Sequence, residues 1–373
     1  MKVLLCPLND PGYLYPAIAA GRELRRRAHT VHVLAGPHAA PAAGAAGLEV
    51  TPLTDPTALS VAHWTVRGPE QYAAVARAVE RLRPDVLVTS VLCHGALVAA
   101  EAAGLPVVVL GLAAHLWPYR GGPGPADAHD RVWRLTETLK HYTAVRAAAG
   151  LAPRRDRFPD TPLLGTAFLL RGHPDLEPPG HELPPAVTHV GPCWWEPDPP
   201  AAPEPLPGPG PLVYVHLGRT FGGASLWPRL NAAFTGGTHG AVVELGRSGA
   251  SEAAAGARIV VGRRPWMGPL VDRADLVLTN ATSAPVLAAL LRGKPLLVAP
   301  NGSEQQVLAA ACLRAGVARA LPGPAATAEA LRDAITRTAR DAGPRSRARR
   351  IGALLADAKS ETRAADAVEA ATR

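Results

Sequence analysis

The stretch ADLVLTNATSAPVLAALLRGKPLLVAP, residues 274–300, decides the fold. It opens with an apolar run typical of a buried strand and leads into an apolar helix predicted at 284–292. Gly293-Lys294-Pro295 then turns the chain into a second apolar strand. The stretch is therefore a strand–helix–strand unit. The small and hydroxyl residues at its first junction are typical of a loop that binds phosphate, and equally of a capped helix.

The same alternation of strands and helices fills both halves of the chain, with a proline-rich segment at 195–211 between them. Such proline density excludes helix interiors and central strands, so this segment is interpreted as a semi-rigid linker. Apolar strands alternating with helices predict doubly wound parallel sheets. In the first half the predicted strands are 2–8, 30–36, 85–91 and 106–112, and the predicted helices are 17–28, 69–82 and 95–104. In the second half the predicted strands are 212–218, 240–246, 257–262, 274–280 and 295–300. The predicted helices there are 224–234, 284–292 and 304–316. A short segment at 317–321 and a helical tail from 326 follow.

The fold class expected from this pattern is α/β, with two Rossmann-like domains and a cleft between them that faces the C-terminal ends of both sheets. The expected boundaries are an N-terminal domain at 1–194 and the linker at 195–211. A C-terminal domain follows at 212–355. A helix at 356–373 is expected to pack back on the N-terminal domain.

Composition limits the class of protein. Hydrophobic residues make up 47% and charged residues 19%, which suits packed domains and not a disordered chain. Neither a membrane-spanning run nor a signal-peptide pattern is present in the sequence, so a cytoplasmic location is expected. The four cysteines lack metal-binding spacing and are expected to be reduced. The net charge of +8 comes mostly from arginine, but without interleaved aromatic residues it is weak support for nucleic-acid binding.

Several motifs resemble those of GT-B glycosyltransferases, and specifically the group that decorates macrolides, glycopeptides and enediynes. The resemblance lies in the order and spacing of the motifs and spans nearly the whole chain. It implies an inverting, metal-independent glycosyltransferase, of hexosyltransferase type, that uses a UDP- or TDP-type sugar and no cofactor. The motifs are NDPGYLYP at 9–16, THVGP at 188–192, Gly293-Lys294-Pro295, Pro300 and Glu304-Gln305.

The resemblance places donor binding in the second domain. The family's His-Gly-Gly loop falls on Asn280, Ala281 and Thr282, with a further polar position at Ser283 and Pro285 where the family has threonine. Asn280, Thr282 and Ser283 can still donate to a diphosphate, and Arg219 or Arg247 could replace the lost charge. Trp266 is a candidate for stacking on the nucleobase, and Glu304 and Gln305 are candidates for holding sugar hydroxyls. Packing of Trp266 and capping of the helix that begins at 304 are the structural alternatives.

The base that accepts the proton of the acceptor is where the sequence departs most from the family pattern. Tyr13 takes the place of the histidine and Ser90 that of the aspartate that orients it. A tyrosine hydroxyl, with a pKa near 10, is a poor base unless strongly perturbed. Asp10 is therefore the first candidate base, with His115 and His94 next and Tyr13 as a positioning hydroxyl. A lone histidine is more often a structural or surface residue than a base.

Aromatic and polar residues at 63–72 and 115–130 are expected to form the acceptor pocket, with Trp64, Trp117 and Tyr119 as contacts. The Gly/Pro-rich part of the second segment suits a mobile lid. Expected partners are a small-molecule acceptor and a nucleotide-sugar, without nucleic acid or membrane, and a homodimer is one option for assembly. No metal site is expected, and the lack of a GxGxxG after the first strand argues against a nicotinamide enzyme.

Two other functions fit the altered motifs. One is an auxiliary or binding protein on the same fold in natural-product biosynthesis, which the residues at 13, 90, 280 and 285 favour. The other is the same fold with a changed reaction, such as an acceptor that needs little deprotonation. The retained Glu304-Gln305 and the Gly293-Lys294-Pro295 turn favour the transferase.

Overall fold

The computed structural model describes residues 1–60, 67–122, 128–154, 161–201, 205–217, 226–245, 252–302, 304–323 and 326–373. These residues form two compact units. The first consists of Met1–Pro197 together with Ala358–Arg373, and the second of Asp198–Asp357. Each unit has its own parallel sheet, so the expected α/β class with two Rossmann-like domains is confirmed.

The first unit contains a seven-stranded sheet in the order β3-β2-β1-β4-β5-β6-β7, in which every pairing is parallel. The strand order reverses between β1 and β4, and ligands in doubly wound sheets bind at the C-terminal ends of strands at such a point. The strands are Lys2–Cys6 (β1), Thr30–Ala35 (β2), Glu49–Pro52 (β3), Val86–Ser90 (β4), Val107–Leu110 (β5), Ala167–Leu170 (β6) and Val187–His189 (β7).

Helices cover this sheet because its strands are apolar on both faces. The last helix of the chain belongs to this unit: Ala364, Ala365 and Val368 lie in the core formed by the first strands and helices. The helices are Pro11–Arg26 (α1), Ala40–Ala45 (α2), Gly68–Leu82 (α3), His94–Ala103 (α4), Ala128–Ala148 (α5) and Ser360–Ala370 (α12).

The second unit contains a six-stranded parallel sheet in the order β10-β9-β8-β11-β12-β13, whose order reverses between β8 and β11. Its strands are Leu212–His216 (β8), Gly240–Glu244 (β9), Ile259–Gly262 (β10), Leu276–Thr279 (β11), Leu296–Val298 (β12) and Ala318–Ala320 (β13). Its helices are Trp227–Phe234 (α6), Gly268–Arg273 (α7), Ser283–Leu291 (α8), Gln305–Arg314 (α9), Ala328–Arg340 (α10) and Ala342–Ala356 (α11).

The stretch 274–300 forms β11, α8 and β12. Gly293 has a φ of +60° just after α8, a conformation that favours glycine, and this lets the chain turn into β12. The predicted helix at 284–292 is shifted by one residue, since α8 runs from Ser283 to Leu291.

Three strands of the first sheet are poorly marked in the sequence. β3 and β6 have no counterpart among the predicted elements, and β7 covers only 187–189. β3 is a short edge strand whose residues are only partly buried, so it lacks the continuous apolar run of a central strand. β6 is apolar but only four residues long, which is too short to distinguish from a turn of helix.

Candidate functional site

The loop that follows β1 is fixed to two neighbouring strands. The Leu8 N–H donates to Ser90 Oγ at 2.9 Å, at the end of β4. Asn9 Oδ1 accepts from the Gly36 N–H at 2.7 Å, and Asn9 Nδ2 donates to the Leu34 carbonyl at 3.3 Å, at the end of β2. Ser90 therefore supports the loop, instead of orienting a histidine.

Asp10 and Tyr13 follow in the same loop. Asp10 is 5% exposed and is the N-cap residue of α1, where its carbonyl accepts from the Tyr13 and Leu14 N–H groups. Among the described residues, its carboxylate makes no capping hydrogen bond to the helix. Tyr13 is half-buried in the first turn. The structure thus brings a carboxylate that is not used in capping and a phenol together at the strand-order reversal.

The two histidine candidates are buried in the first unit. Burial lowers the pKa of His94 to about 4, with a smaller contribution from His141 on α5. Burial also lowers the pKa of His115 to about 3, and the charge of Arg131 adds to this shift. Both imidazoles are therefore neutral at pH 7.

The candidate acceptor residues Trp117 and Tyr119 lie in an aromatic cluster. Trp117 is 2% exposed, and its ring centroid lies 5.5 Å from that of Phe168. The Tyr119 hydroxyl donates to Glu177 Oε2 at 2.6 Å, and Glu177 Oε1 accepts from the backbone N–H of His115 at 2.8 Å. Trp64 and the central part of the expected lid, 123–127, lie outside the described residues.

Buried charged residues around this cluster have no counterpart among the sequence-based candidates. Arg131 is fully buried, donates to the His115 carbonyl and lies 5.0 Å from the Tyr119 ring centroid. Glu177 and Arg171 are also buried. In the sequence Arg171 follows only the short apolar run FLL at 168–170, which is too short to be recognised as a strand and so did not point to this arginine.

In the second unit, the loop after β11 is held by its own side chains. Asn280 is 1% exposed; its Nδ2 donates to the Leu217 carbonyl at 2.7 Å, and its Oδ1 accepts from Thr282 Oγ1 at 3.3 Å. Ala281 has a φ of +65°, where the family pattern has glycine, and its N–H donates to Thr279 Oγ1 at 3.1 Å. Asn280 thus maintains the shape of this loop, a role that the sequence did not suggest.

The N-terminus of α8 keeps the features of an anion site. Thr282 is its N-cap residue, and within the described part of the chain its side chain caps no helix N–H. The capping interpretation of this junction therefore fails for Thr282. Ser283 is buried, and Pro285 in the first turn removes one donor. A helix N-terminus offers N–H groups and a positive dipole end to an anion, and here no Thr282 oxygen competes for them.

Glu304 and Gln305 begin α9. Glu304 is its N-cap residue and is 7% exposed, and Ser303 lies outside the described residues. Gln305 is fully buried, and its Oε1 accepts from the Asn301 N–H at 2.8 Å. Its Nε2 is also buried and has no hydrogen-bond partner in the ranges that the structure describes. The amide is therefore oriented by one end and leaves two donors unmatched at the other.

The turn after β10 is fixed by a carboxylate that sequence reasoning missed. Glu244 lies at the end of β9, and its Oε1 accepts from the backbone N–H of Arg264 at 2.8 Å. Its Oε2 lies 3.8 Å from Arg264 Nη1. Trp266, in the same turn, is 4% exposed, so stacking on a nucleobase stays a prediction. Arg219 and Arg247 lie outside the described residues.

The described residues contain neither a candidate metal-binding group nor a helix that could span a membrane. They contain no group of three or more His, Cys, Asp or Glu side chains arranged to hold a metal ion. None of their helices combines the length and the apolar character needed to cross a membrane.

Comparison with known proteins places the fold. No protein-family model matches the chain. The 4'-demethylrebeccamycin synthase of Lentzea aerocolonigenes is 29% identical over 269 residues, which cover 62% of this chain and 61% of that protein. The aligned region thus spans about three fifths of the length of that relative.

Solved structures match over the whole chain. The glycosyltransferase of kitacinnamycin superposes with a TM-score of 0.78 at 22% identity, over 100% of this chain and 99% of that one. The calicheamicin glycosyltransferase gives a TM-score of 0.70 at 20% identity, over 99% and 98% of the two chains. VinC, solved in complex with dTDP, gives 0.68 at 18% identity, over 100% and 99%. The chain therefore has the GT-B fold that these natural-product glycosyltransferases share.

Proposed function

We propose that this protein is an inverting glycosyltransferase that moves a hexose-type sugar from a UDP- or TDP-sugar onto a small antibiotic-type acceptor. The observation that carries the proposal is Gln305, whose buried amide is oriented by the Asn301 N–H and keeps unmatched donors. A buried amide without partners is costly unless a ligand completes it, and sugar hydroxyls are suitable acceptors. The relatives named for rebeccamycin, kitacinnamycin and calicheamicin support an antibiotic-type acceptor.

The proposed reaction is a single displacement. Asp10 takes the proton of the acceptor hydroxyl while the acceptor oxygen forms a bond to the anomeric carbon. The bond from that carbon to the diphosphate oxygen breaks, and the diphosphate leaves with the electron pair. The N-terminus of α8 stabilises the charge that develops on this leaving group, so no metal ion is required in this scheme.

The second unit is assigned to the donor. Glu304 and Gln305 hold sugar hydroxyls, and Ser283 and Thr282 contact the diphosphate. The turn that contains Trp266 contacts the nucleobase. Asn280 contributes by holding the loop, since its side chain hydrogen bonds to Leu217 and Thr282. The first unit is assigned to the acceptor, with Trp117 and Tyr119 in the aromatic cluster.

The experiment is calorimetric titration with a panel of UDP-, TDP- and GDP-sugars, followed by transfer assays with the best donor. Gln305→Ala should weaken binding of the nucleotide-sugar roughly tenfold or more, because the two amide donors of Gln305 to the sugar are lost. Binding of the free nucleoside diphosphate should change little.

The matched control is Gln306→Ala, since Gln306 is the neighbouring glutamine and is exposed. It should leave both affinities unchanged. Lack of binding by every nucleotide-sugar would rule out the donor assignment and favour an auxiliary role for the protein.

A further inference from the structure

Arg171 is a buried cation at the C-terminal end of the first sheet. It follows β6 directly and is 3% exposed. Its Nε donates to the Gly111 carbonyl at 2.8 Å, after β5, and its Nη2 donates to the Gly12 carbonyl at 3.2 Å, in the first turn of α1. Arg171 thus connects the ends of β5 and β6 to the start of α1.

Among the described residues, the Arg171 guanidinium has no acidic partner. In the described ranges, neither a hydrogen bond nor an ion pair joins it to a carboxylate. Burial lowers the pKa of Arg171 to about 10, and the Cys193 thiol and Tyr13 phenol partly oppose this shift, so the side chain stays charged at neutral pH. A buried charge without a counter-ion is unfavourable for folding, so its presence calls for another explanation.

The sequence of α1 supplies the reason why Gly12 needs an external donor. In an α-helix the N–H of residue i donates to the carbonyl of residue i−4, so the carbonyl of Gly12 would pair with the N–H of residue 16. Residue 16 is a proline inside the helix and has no N–H. The Gly12 carbonyl therefore loses its intrahelical donor, and Arg171 Nη2 takes that place.

We infer that Arg171 is a positioning residue that replaces the donor missing at Pro16 and thereby holds the Asp10–Tyr13 turn at the end of the sheet. This inference rests on the proposed function for its catalytic consequence, but its structural part stands alone. The hydrogen bonds of this loop to Ser90, through the Asn9 side chain and from the Asn9 backbone N–H to the Leu59 carbonyl are neutral, and a charged donor makes the stronger bond.

A double-mutant cycle with Pro16→Ala and Arg171→Met tests the inference. Pro16→Ala restores an N–H four residues after Gly12. Hydrogen exchange of the amides in residues 8–15, followed by mass spectrometry, reports the order of the turn. Arg171→Met alone should speed this exchange roughly tenfold, the equivalent of one hydrogen bond from a charged donor. In the Pro16→Ala background the same substitution should have an effect of less than about twofold, because the carbonyl already has a donor.

Two further variants control for stability. Arg146, on α5, is a buried arginine of the same unit that pairs with Glu101 and donates to the Ala152 carbonyl. Arg146→Met should lower the melting temperature without selectively speeding exchange in residues 8–15. Arg171→Lys keeps the charge and should give intermediate exchange. It takes the place of Arg171→Met in the cycle if that variant does not fold.

The catalytic consequence has its own measurement. Arg171→Met should lower kcat while leaving the KM for the nucleotide-sugar unchanged, and Pro16→Ala should restore part of the loss. Equal acceleration of exchange by Arg171→Met in both backgrounds, or no acceleration, would overturn the inference. If the wild-type protein transfers no sugar, the proposed function fails, but the exchange cycle still decides the role of Arg171.

Discussion

Asp10 has an unusual setting for a helix N-cap residue. Aspartate at this position normally accepts a hydrogen bond from the second or third helical N–H, yet among the described residues the Asp10 carboxylate makes no such bond. The carboxylate therefore lies near the end of β1 without capping the helix that it begins.

Substitution of Asp10 by asparagine should abolish most of the sugar transfer. Asparagine has nearly the same shape and is an equally good N-cap residue, so the fold should be kept while the base is lost. We expect kcat to fall by about 10²- to 10⁴-fold, the usual contribution of a general base. Steady-state kinetics with saturating donor measure the change.

Tyr13→Phe is the companion variant and should cost less, because the hydroxyl only positions the acceptor. Wild-type kcat in Asp10→Asn would remove Asp10 from the mechanism. A large loss in Tyr13→Phe alone would move the role of base to Tyr13.

The candidate residues differ in how far the sequence could predict them. Asp10 and Tyr13 lie in a loop recognised by its position after the first strand, so they could be nominated directly. Arg171 could not, because its contact with Gly12 joins residues 159 positions apart and depends on the strand order. The role of Asn280 was likewise hidden, since its partner Leu217 lies at the end of another strand.

In the second unit, a glycine allows α11 to pack closely against α8. Gly352 of α11 faces the end of α8, where an added Cβ would overlap the Leu290 carbonyl oxygen. α11 also contacts the end of α9, where Arg347 Nε donates to the Gly316 carbonyl at 3.1 Å. A larger side chain at Gly352 would therefore move α11 away from the helices that it covers.

Gly352→Ala should lower the free energy of unfolding of the second unit by about 1–3 kcal/mol, the usual cost of overpacking. Urea denaturation followed by circular dichroism measures it. The control is Gly44→Ala in α2, where an added Cβ meets nothing within 4 Å. That variant should be neutral or more stable by up to about 1 kcal/mol, since alanine favours the helix. Equal effects of the two substitutions would contradict the packing argument.

Central elements could be read from the sequence more easily than edge elements. β1, β4 and β5 are continuous apolar runs because both of their faces are covered, and each was predicted within two residues. β3 and β13 lie at the edges of their sheets, are short, and have one buried residue each. The short β13 was located only as an apolar segment, and β3 was missed, because a few half-buried residues carry no clear periodicity.

At the scale of the molecule, the first unit should be the acid-sensitive one. Burial gives His94, His115 and His189 pKa values of about 4, 3 and 4 in the folded state. An unfolded histidine has a pKa near 6.5, so the unfolded chain binds more protons between these values. The free energy of unfolding of this unit should therefore decrease as the pH falls from about 6.5 toward 4.

Differential scanning calorimetry at pH 7.5, 6.0 and 5.0 measures this dependence, in a range above the usual titration of carboxylates. The transition that belongs to the first unit should shift to lower temperature. His94→Gln should reduce the shift, whereas His38→Gln, at an exposed position, should not. A pH-independent transition in the wild type would show that these histidines titrate alike in the folded and the unfolded protein.

The overall fold was predictable because it depends on patterns that repeat along the chain. Strands and helices alternate in both halves, and this alternation is enough to indicate two doubly wound sheets. The proposed contacts with the sugar and the acceptor depend instead on a few side chains from distant elements, such as Gln305 and Tyr119. Their spacing in the sequence does not encode the shape of a pocket.

The path of the chain has a consequence for synthesis on the ribosome. The first unit includes α12, whose Ala364, Ala365 and Val368 complete its core, and α1 and α12 are further joined by the ion pairs of Arg27 with Asp366 and Glu369. These residues are translated only after the entire second unit. The surface of α1 that α12 covers therefore stays exposed on the growing chain until the second unit has been synthesised. The first unit is synthesised first, but its core is completed last.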